Sequence, residues 1–218
     1  MLVSLKNNEK LKRYGKSLKF AFYCLTHPLD GFWDLTHEKR GSIAAANTIL
    51  IFTILARICQ LYMTSFIFNK VYWPEINIFL YIASILFPLA LWCVGNWALT
   101  TLFDGKARLP QIYMATCYAM LPYPLVQFPL IIFSHMVTVD EAEFYSVVST
   151  ISLVYAALLI LSAMMQIHEY TLKKTLLFTV FSIFAMLVIV FILLLFFSMI
   201  SQGIAYFVSI VREILFRM

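Results

Sequence analysis

The sequence predicts an all-α polytopic membrane protein, a five-helix transmembrane bundle preceded by an amphipathic cytoplasmic segment. Three observations carry this. First, 62% of the 218 residues are hydrophobic and 12% charged, with a mean hydropathy of +0.87. Soluble domains carry roughly 45–50% apolar and about 25% charged residues, and a water-facing surface cannot hide such an excess at this chain length. Second, the apolar runs are continuous and lack the alternation of barrel strands. In lipid every backbone N–H and C=O must be paired internally, so helices are the remaining way to span. Third, there are five such runs, each reaching the ~20 residues a crossing requires.

Residues 1–42 form a region of their own. Lys6, Lys10, Lys12, Arg13, Lys16 and Lys19 are interleaved with Leu11, Tyr14, Leu18, Phe22 and Leu25 at helical spacing, which predicts a helix with a basic and an apolar face. Two readings follow. Such a helix lies on the anionic headgroups of the bilayer's cytoplasmic leaflet, held by roughly 1 kcal/mol per near-surface cation, or it is a basic tail that only sets topology. No short apolar stretch with a small-residue cleavage site precedes it, so no cleaved signal peptide is expected. Pro28 ends the helix and Asp30-Gly31 reads as a turn. Phe32 and Trp33 suit the headgroup level. Residues 37–41 read as a charged hinge, and Ser42 is placed to cap the first span.

The spans are predicted at 43–68, 77–103, 111–134, 145–167 and 175–200. The apolar character persists beyond Ser201-Gln202-Gly203, too briefly for a sixth span and a turn. A separate amphipathic helix over 201–218 is therefore expected, with a hairpin in the last run as the minority topology. This divides the chain into 1–42, 43–200 and 201–218.

Orientation follows from the basic residues of the short flanks. The N-terminal region holds eight, the loop after the second span adds Lys106 and Arg108, and the loop after the fourth adds Lys173 and Lys174. The opposite side has Lys70, Arg212 and Arg217, with an acidic loop at Asp140, Glu141 and Glu143. Twelve against three puts the N-terminus in the cytoplasm, and five spans then put the C-terminus outside.

Arg57 is the most unusual residue, a cation well inside the first span. Such residues usually face the bundle interior or a water-filled cavity, at a cost of about 2.5–3.5 kcal/mol or more. One reading makes it the centre of a polar or anion-binding site. The other has it snorkel to the headgroups or pair with Asn96, Thr100 or a carbonyl freed by proline. No Asp or Glu lies within the predicted spans, so a lipid phosphate or a partner protein is the natural counter-charge. In the third span Pro122, Pro124 and Pro129 predict a kink or an unwound stretch, read either as packing or as a broken helix lining a transport path. Asn96 suits an interhelical hydrogen bond.

The four cysteines lack zinc spacing, the four histidines are scattered over both sides, and His168-Glu169 is not followed by the second histidine of a zinc-protease helix. No phosphate loop, nucleophile elbow or dinucleotide fingerprint occurs. Neither cofactor nor metal is expected, and the basic segment lacks a nucleic-acid fold around it.

Three local patterns carry a family resemblance. His27-Pro28-Leu29-Asp30-Gly31-Phe32 precedes the first span, Leu102-Phe103-Asp104-Gly105-Lys106 follows the second, and Tyr118-Ala119-Met120-Leu121-Pro122 lies in the third. In their order and placement over about 20–200, these resemble the Yip domain family, the Rab/Ypt-interacting membrane proteins. The resemblance implies five spans, a cytoplasmic N-terminus and roles in vesicle traffic at Golgi and ER membranes. The chain lacks the long N-terminal extension and the Asp-Leu-Tyr-Gly-Pro-type motif of eukaryotic members. It is more similar to the short bacterial branch, which implies a cell-membrane location and a partner such as an ABC transporter.

The expected function is therefore non-enzymatic: a membrane protein that binds or organises other membrane components. Its rival is a small transporter or channel built on Arg57 and the proline-broken span. An intramembrane enzyme is the weakest of the three, since no acid, base or nucleophile set appears.

Overall fold

The computed structural model describes residues 2–65, 68, 77–103, 105–138 and 141–217, with side chains at all of these except 2–10, 211, 214 and 217. Among the described residues the chain forms eight α-helices and no strand: α1 (Leu2–Thr26), α2 (Pro28–His37), α3 (Ile43–Met63), α4 (Ile78–Leu102), α5 (Leu109–Ala119), α6 (Pro122–Phe133), α7 (Ala142–His168) and α8 (Leu172–Arg217). Counting α5 and α6 as one broken segment, five segments are long and apolar enough to cross a membrane.

Helix starts follow from local chemistry. Ser42 caps α3, its Oγ accepting from the Ala45 amide at 3.1 Å, and Asn77 caps α4 by accepting from the Phe79 amide at 3.0 Å. Each satisfies one of the amides a helix N-terminus leaves free. Pro28 both follows the end of α1 and opens α2, where its missing N–H is not needed. The expected turn at Asp30-Gly31 does not form, because both residues lie within α2. Gly31 serves packing instead: a Cβ there would lie 2.7 Å from Cys24 Cα, so its absence lets α2 close onto the backbone of α1.

The α5–α6 segment is the hub. Its most apolar window is 61% buried, against 6% for α8, so the third span is the central element and the fifth a peripheral one. Small residues (Ala45 and Ala46 of α3, Ala115 and Ala119 of α5, Ala163 of α7) let the helices approach closely at one end of the bundle. There Phe20, Cys24, Phe32 and Leu35 of α1 and α2 join the same core. The inward side of α1 runs through Ser17, Ala21 and Cys24, with Tyr14, Leu18 and Leu25 beside it, while Leu11 and Phe22 stay exposed. The apolar face of α1 is therefore spent largely on protein, one step round the helix from the face the spacing suggests.

The third span is kinked rather than unwound. Met120 and Leu121 keep right-handed helical dihedrals, and their amides reach Thr116, Cys117 and Tyr118 carbonyls at 3.1–3.3 Å. The break is thus closed by backbone hydrogen bonds, as burial in the bundle demands. Pro88 and Pro129 sit inside continuous helices.

The separate C-terminal helix and the minority hairpin are both overturned. A single helix of 46 residues runs from Leu172 to Arg217. Ser201-Gln202-Gly203 contains no proline, Gln202 donates to Ser198 Oγ one turn back at 3.1 Å, and nothing crowds Gly203. At 1.5 Å per residue the helix is about 70 Å long, more than twice the ~30 Å hydrocarbon thickness. It meets the bundle chiefly along α4, and packs closely at Gly95, where a Cβ would lie 3.3 Å from Met186 Cγ.

Candidate functional site

The three sequence patterns, far apart along the chain, converge at the end of the bundle where α1 and α2 dock. Tyr118 of α5 is buried at the centre. Its hydroxyl lies 2.6 Å from Ser17 Oγ, donates to the Ser17 carbonyl at 3.2 Å and accepts from the Ser42 amide at 3.4 Å. One phenol thus joins α1, the start of α3 and the central span. Tyr14 of α1 meets Thr48 of α3 at 2.7 Å, and Tyr155 of α7 donates to the Leu25 carbonyl at 2.6 Å, satisfying an acceptor that the end of α1 leaves free. Phe32 is fully buried in the core, whereas His27 is exposed, stacked on Tyr23 and bonded to the Thr26 hydroxyl at 2.9 Å.

The second pattern reaches the α7–α8 turn. The Gly105 amide donates to the Thr100 carbonyl at 2.8 Å, and a Cβ at Gly105 would lie 2.6 Å from Thr100 Cβ and 2.9 Å from His168 Nδ1. Only glycine fits between these two side chains. Asp104 lies outside the described residues. Beneath Gly105, Asn96 accepts from His168 Nε2 at 3.0 Å and donates to Ser182 Oγ at 3.1 Å, all three being buried. This links α4, α7 and α8, the interhelical role expected of Asn96.

At the surface, Glu169 closes α7 in a left-handed conformation at φ 55° and bridges two segments. It accepts from Lys106 and lies 3.3 Å from His37 Nε2 of α2. The Lys106 ammonium, with His37 behind it, holds the Glu169 carboxyl below its ordinary value. Arg40 pairs with Asp34 at 3.2 Å and Glu38 at 2.6 Å. Burial, with the charge of Asp34 adding to it, pushes the Cys24 thiol up to about 12, so this cysteine is inert packing. All four cysteines are free, and among the described residues no group of His, Cys, Asp and Glu could hold a metal ion.

Arg57, Pro122 and Pro124 do not join this cluster. Arg57 lies towards the opposite end of α3, where it is exposed and borders two cavities. Its expected partners are engaged elsewhere, Asn96 as above and Thr100 with the Asn96 carbonyl at 2.7 Å. It donates instead to Gln60 Oε1, one turn on, at 2.9 Å. Pro122 and Pro124 are buried in the kink.

The roles of Tyr118, Ser17, His168 and Glu169 went unread in the sequence. Their partners lie more than 60 residues away, so no local spacing signals them. Tyr118 stands in a pattern that carries only the family resemblance.

Searches of curated proteins and of solved structures give no match. The family model described as the Yip1 domain matches residues 22–209, from within α1 to within α8, and so covers the three converging patterns. With its five apolar crossing segments, this chain is a multi-pass membrane protein belonging to the Yip1 domain family.

Proposed function

We propose that the chain is a non-enzymatic organiser of membrane components, and that the docked α1–α2 pair is its contact surface on the cytoplasmic side. The carrying observation is a basic groove of about 870 Å³ between α1 and residues 38–40. Arg13, Lys16, Lys19 and Lys39 line it over an apolar floor that includes Phe20 and Phe22. Among the described residues, no carboxylate pairs with these four cations. Cations above aromatic surface suit an acidic, amphipathic segment of another membrane-associated protein, such as a transporter subunit in a bacterial cell membrane or a trafficking component in a Golgi or ER membrane. The exposed Leu11 and Phe22, beside the same lysines, also suit anionic headgroups. Placing this face in the cytoplasm rests on the twelve-to-three bias of basic residues.

The transport alternative gains little. The kink borders the larger cavity beside Arg57 through Met120 and Tyr123, but that cavity is mostly apolar and does not suit a polar path.

The test is crosslinking in intact membranes followed by mild extraction and mass spectrometry. Recovery of one stoichiometric partner, lost on K16E with R13E, is the expected result. Recovery of the chain alone, or a partner unaffected by the charge reversals, refutes the proposal.

A further inference from the structure

At the end of α3 away from α1 and α2, two cavities meet at Arg57. The smaller, about 130 Å³, is lined by polar groups of Arg57, Gln60, Thr64, Tyr81 and Tyr145 and by apolar Leu61 and Phe68. Its donors outnumber its acceptors. Gln60 Oε1 already accepts from both Arg57 Nη1 and the Tyr123 hydroxyl, each at 2.9 Å. The guanidinium offers five N–H groups in a planar fork, and among the described residues no carboxylate meets it. Its carbon stands 5.9 Å from the centre of the Tyr81 ring, a cation–π contact that fixes it over the cavity. Thr64 Oγ1 and the Tyr145 hydroxyl are both buried and, among the described residues, without a hydrogen-bond partner, and Tyr145 as a whole is only 9% exposed. Buried polar groups are normally paired. Two orphan hydroxyls and a forked cation around one small space call for an anionic oxygen that accepts from all of them.

The larger cavity, about 530 Å³, is mostly apolar. Ile85, Met120, Leu153, Ala156 and Ile160 line it, with Arg57 and Tyr123 on its border. It lies among α3, α4, α6 and α7, within the lipid-crossing part of the bundle. Arg57 itself is six residues, about 9 Å, from the end of α3, within reach of headgroup depth for a long side chain. A polar anion site opening beside an apolar groove matches an amphiphile and not a free ion.

We propose that Arg57, Thr64 and Tyr145 bind the phosphate of an anionic phospholipid, with one acyl chain in the groove walled by Ile85, Leu153 and Ile160. The chemistry recognised is a phosphate oxygen, and the groove selects the lipid over a soluble phosphate.

The test uses the purified full chain, delipidated in mild detergent, and native mass spectrometry with three probes: phosphatidylglycerol, phosphatidylcholine and glycerol phosphate. Phosphatidylglycerol should be retained well above the other two. R57Q should lower that retention about tenfold, the size expected for losing a charge-assisted contact, with R57K intermediate because it keeps the charge but loses the fork. Since a charge change could perturb the bundle, Y145F provides a conservative second variant, expected to lower retention a few-fold with unchanged thermal unfolding. Phosphatidylcholine retained equally, or phosphatidylglycerol unaffected by R57Q and Y145F, overturns the proposal. Glycerol phosphate held as strongly as the lipid overturns the lipid assignment in favour of a soluble phosphate.

Discussion

Gly31 offers a direct test of how α1 is held. A methyl group at this position would stand 2.7 Å from Cys24 Cα, 3.0 Å from Cys24 Sγ and 3.3 Å from Cys24 Cβ. The nearest atom is backbone, so no flexible side-chain tip can yield. Ordinary contact begins near 3.4 Å, so α1 and α2 must part by about 0.7 Å in an interior packed as densely as a crystal. Overpacking of this kind costs about 1–3 kcal/mol. Replacing a helical glycine by alanine also gains roughly 0.5–1 kcal/mol of backbone entropy. Gly15, in α1 with nothing within 4 Å, isolates that gain, so the difference between G31A and G15A reports the clash alone. Thermal unfolding in detergent should place G31A below G15A by that amount. Maleimide labelling of Cys24, located by mass spectrometry, gives a second readout. Burial holds this thiol near 12 rather than at 9.0, and release of α1 returns it towards the lower value. The labelling rate near neutral pH then rises, since the thiolate is the reactive form. Equal unfolding temperatures and equal Cys24 labelling in G31A and G15A would refute the close α1–α2 packing.

Three further predictions concern the same end of the bundle. Y118F strands the Ser17 hydroxyl and the Ser42 amide and should cost about 1–3 kcal/mol; adding S17A should cost less than the sum of the two changes, as read by thermal unfolding. N96L removes the partner of both His168 and Ser182 and should destabilise by about 1–3 kcal/mol, more than S182A, which spares the Asn96–His168 bond. The Glu169 carboxyl is depressed in the folded state, so its contribution is fully present above its unfolded value of 4.5 and disappears as pH falls through the lower folded one. The wild type should therefore unfold at a higher temperature than E169Q at neutral pH, by a margin that shrinks with salt and vanishes in acid.

The crossing segments were legible because lipid imposes a requirement on every residue of a run: apolar side chains and an internally bonded backbone. Caps were equally local, which is why Ser42 could be read from its own position. Misreadings arose where tertiary contact overrode a short-range signal. Asp30-Gly31 has the composition of a turn, yet the close approach of Cys24 recruits Gly31 into a helix. Ser201-Gln202-Gly203 is polar enough to suggest a break, but without proline nothing interrupts the backbone ladder of α8. Arg57 inside an apolar run suggests a distant counter-charge, yet Gln60 stands three residues on, on the same helix face, and accepts from it. Glu169 and His168 give no such signal, because Glu169 meets its partners only when α2 and the 105–108 segment come to the α7–α8 turn, and His168 only when α4 packs on α7. The patterns around Gly31, Gly105 and Tyr118 are visible as resemblance, but their reasons, steric at the two glycines and hydrogen bonding at Tyr118, emerge only when the helices are packed.

Five crossings with α8 as one continuous helix put the basic helices and the far end of α8 on opposite faces of the bilayer. Single-cysteine labelling of intact cells with an impermeant maleimide tests this most directly, in a chain whose own four cysteines are replaced and which carries either K12C or Y206C. Both positions are exposed in the structure. Y206C should be labelled from outside and K12C only after the cells are opened; labelling of both from the same side would contradict five crossings.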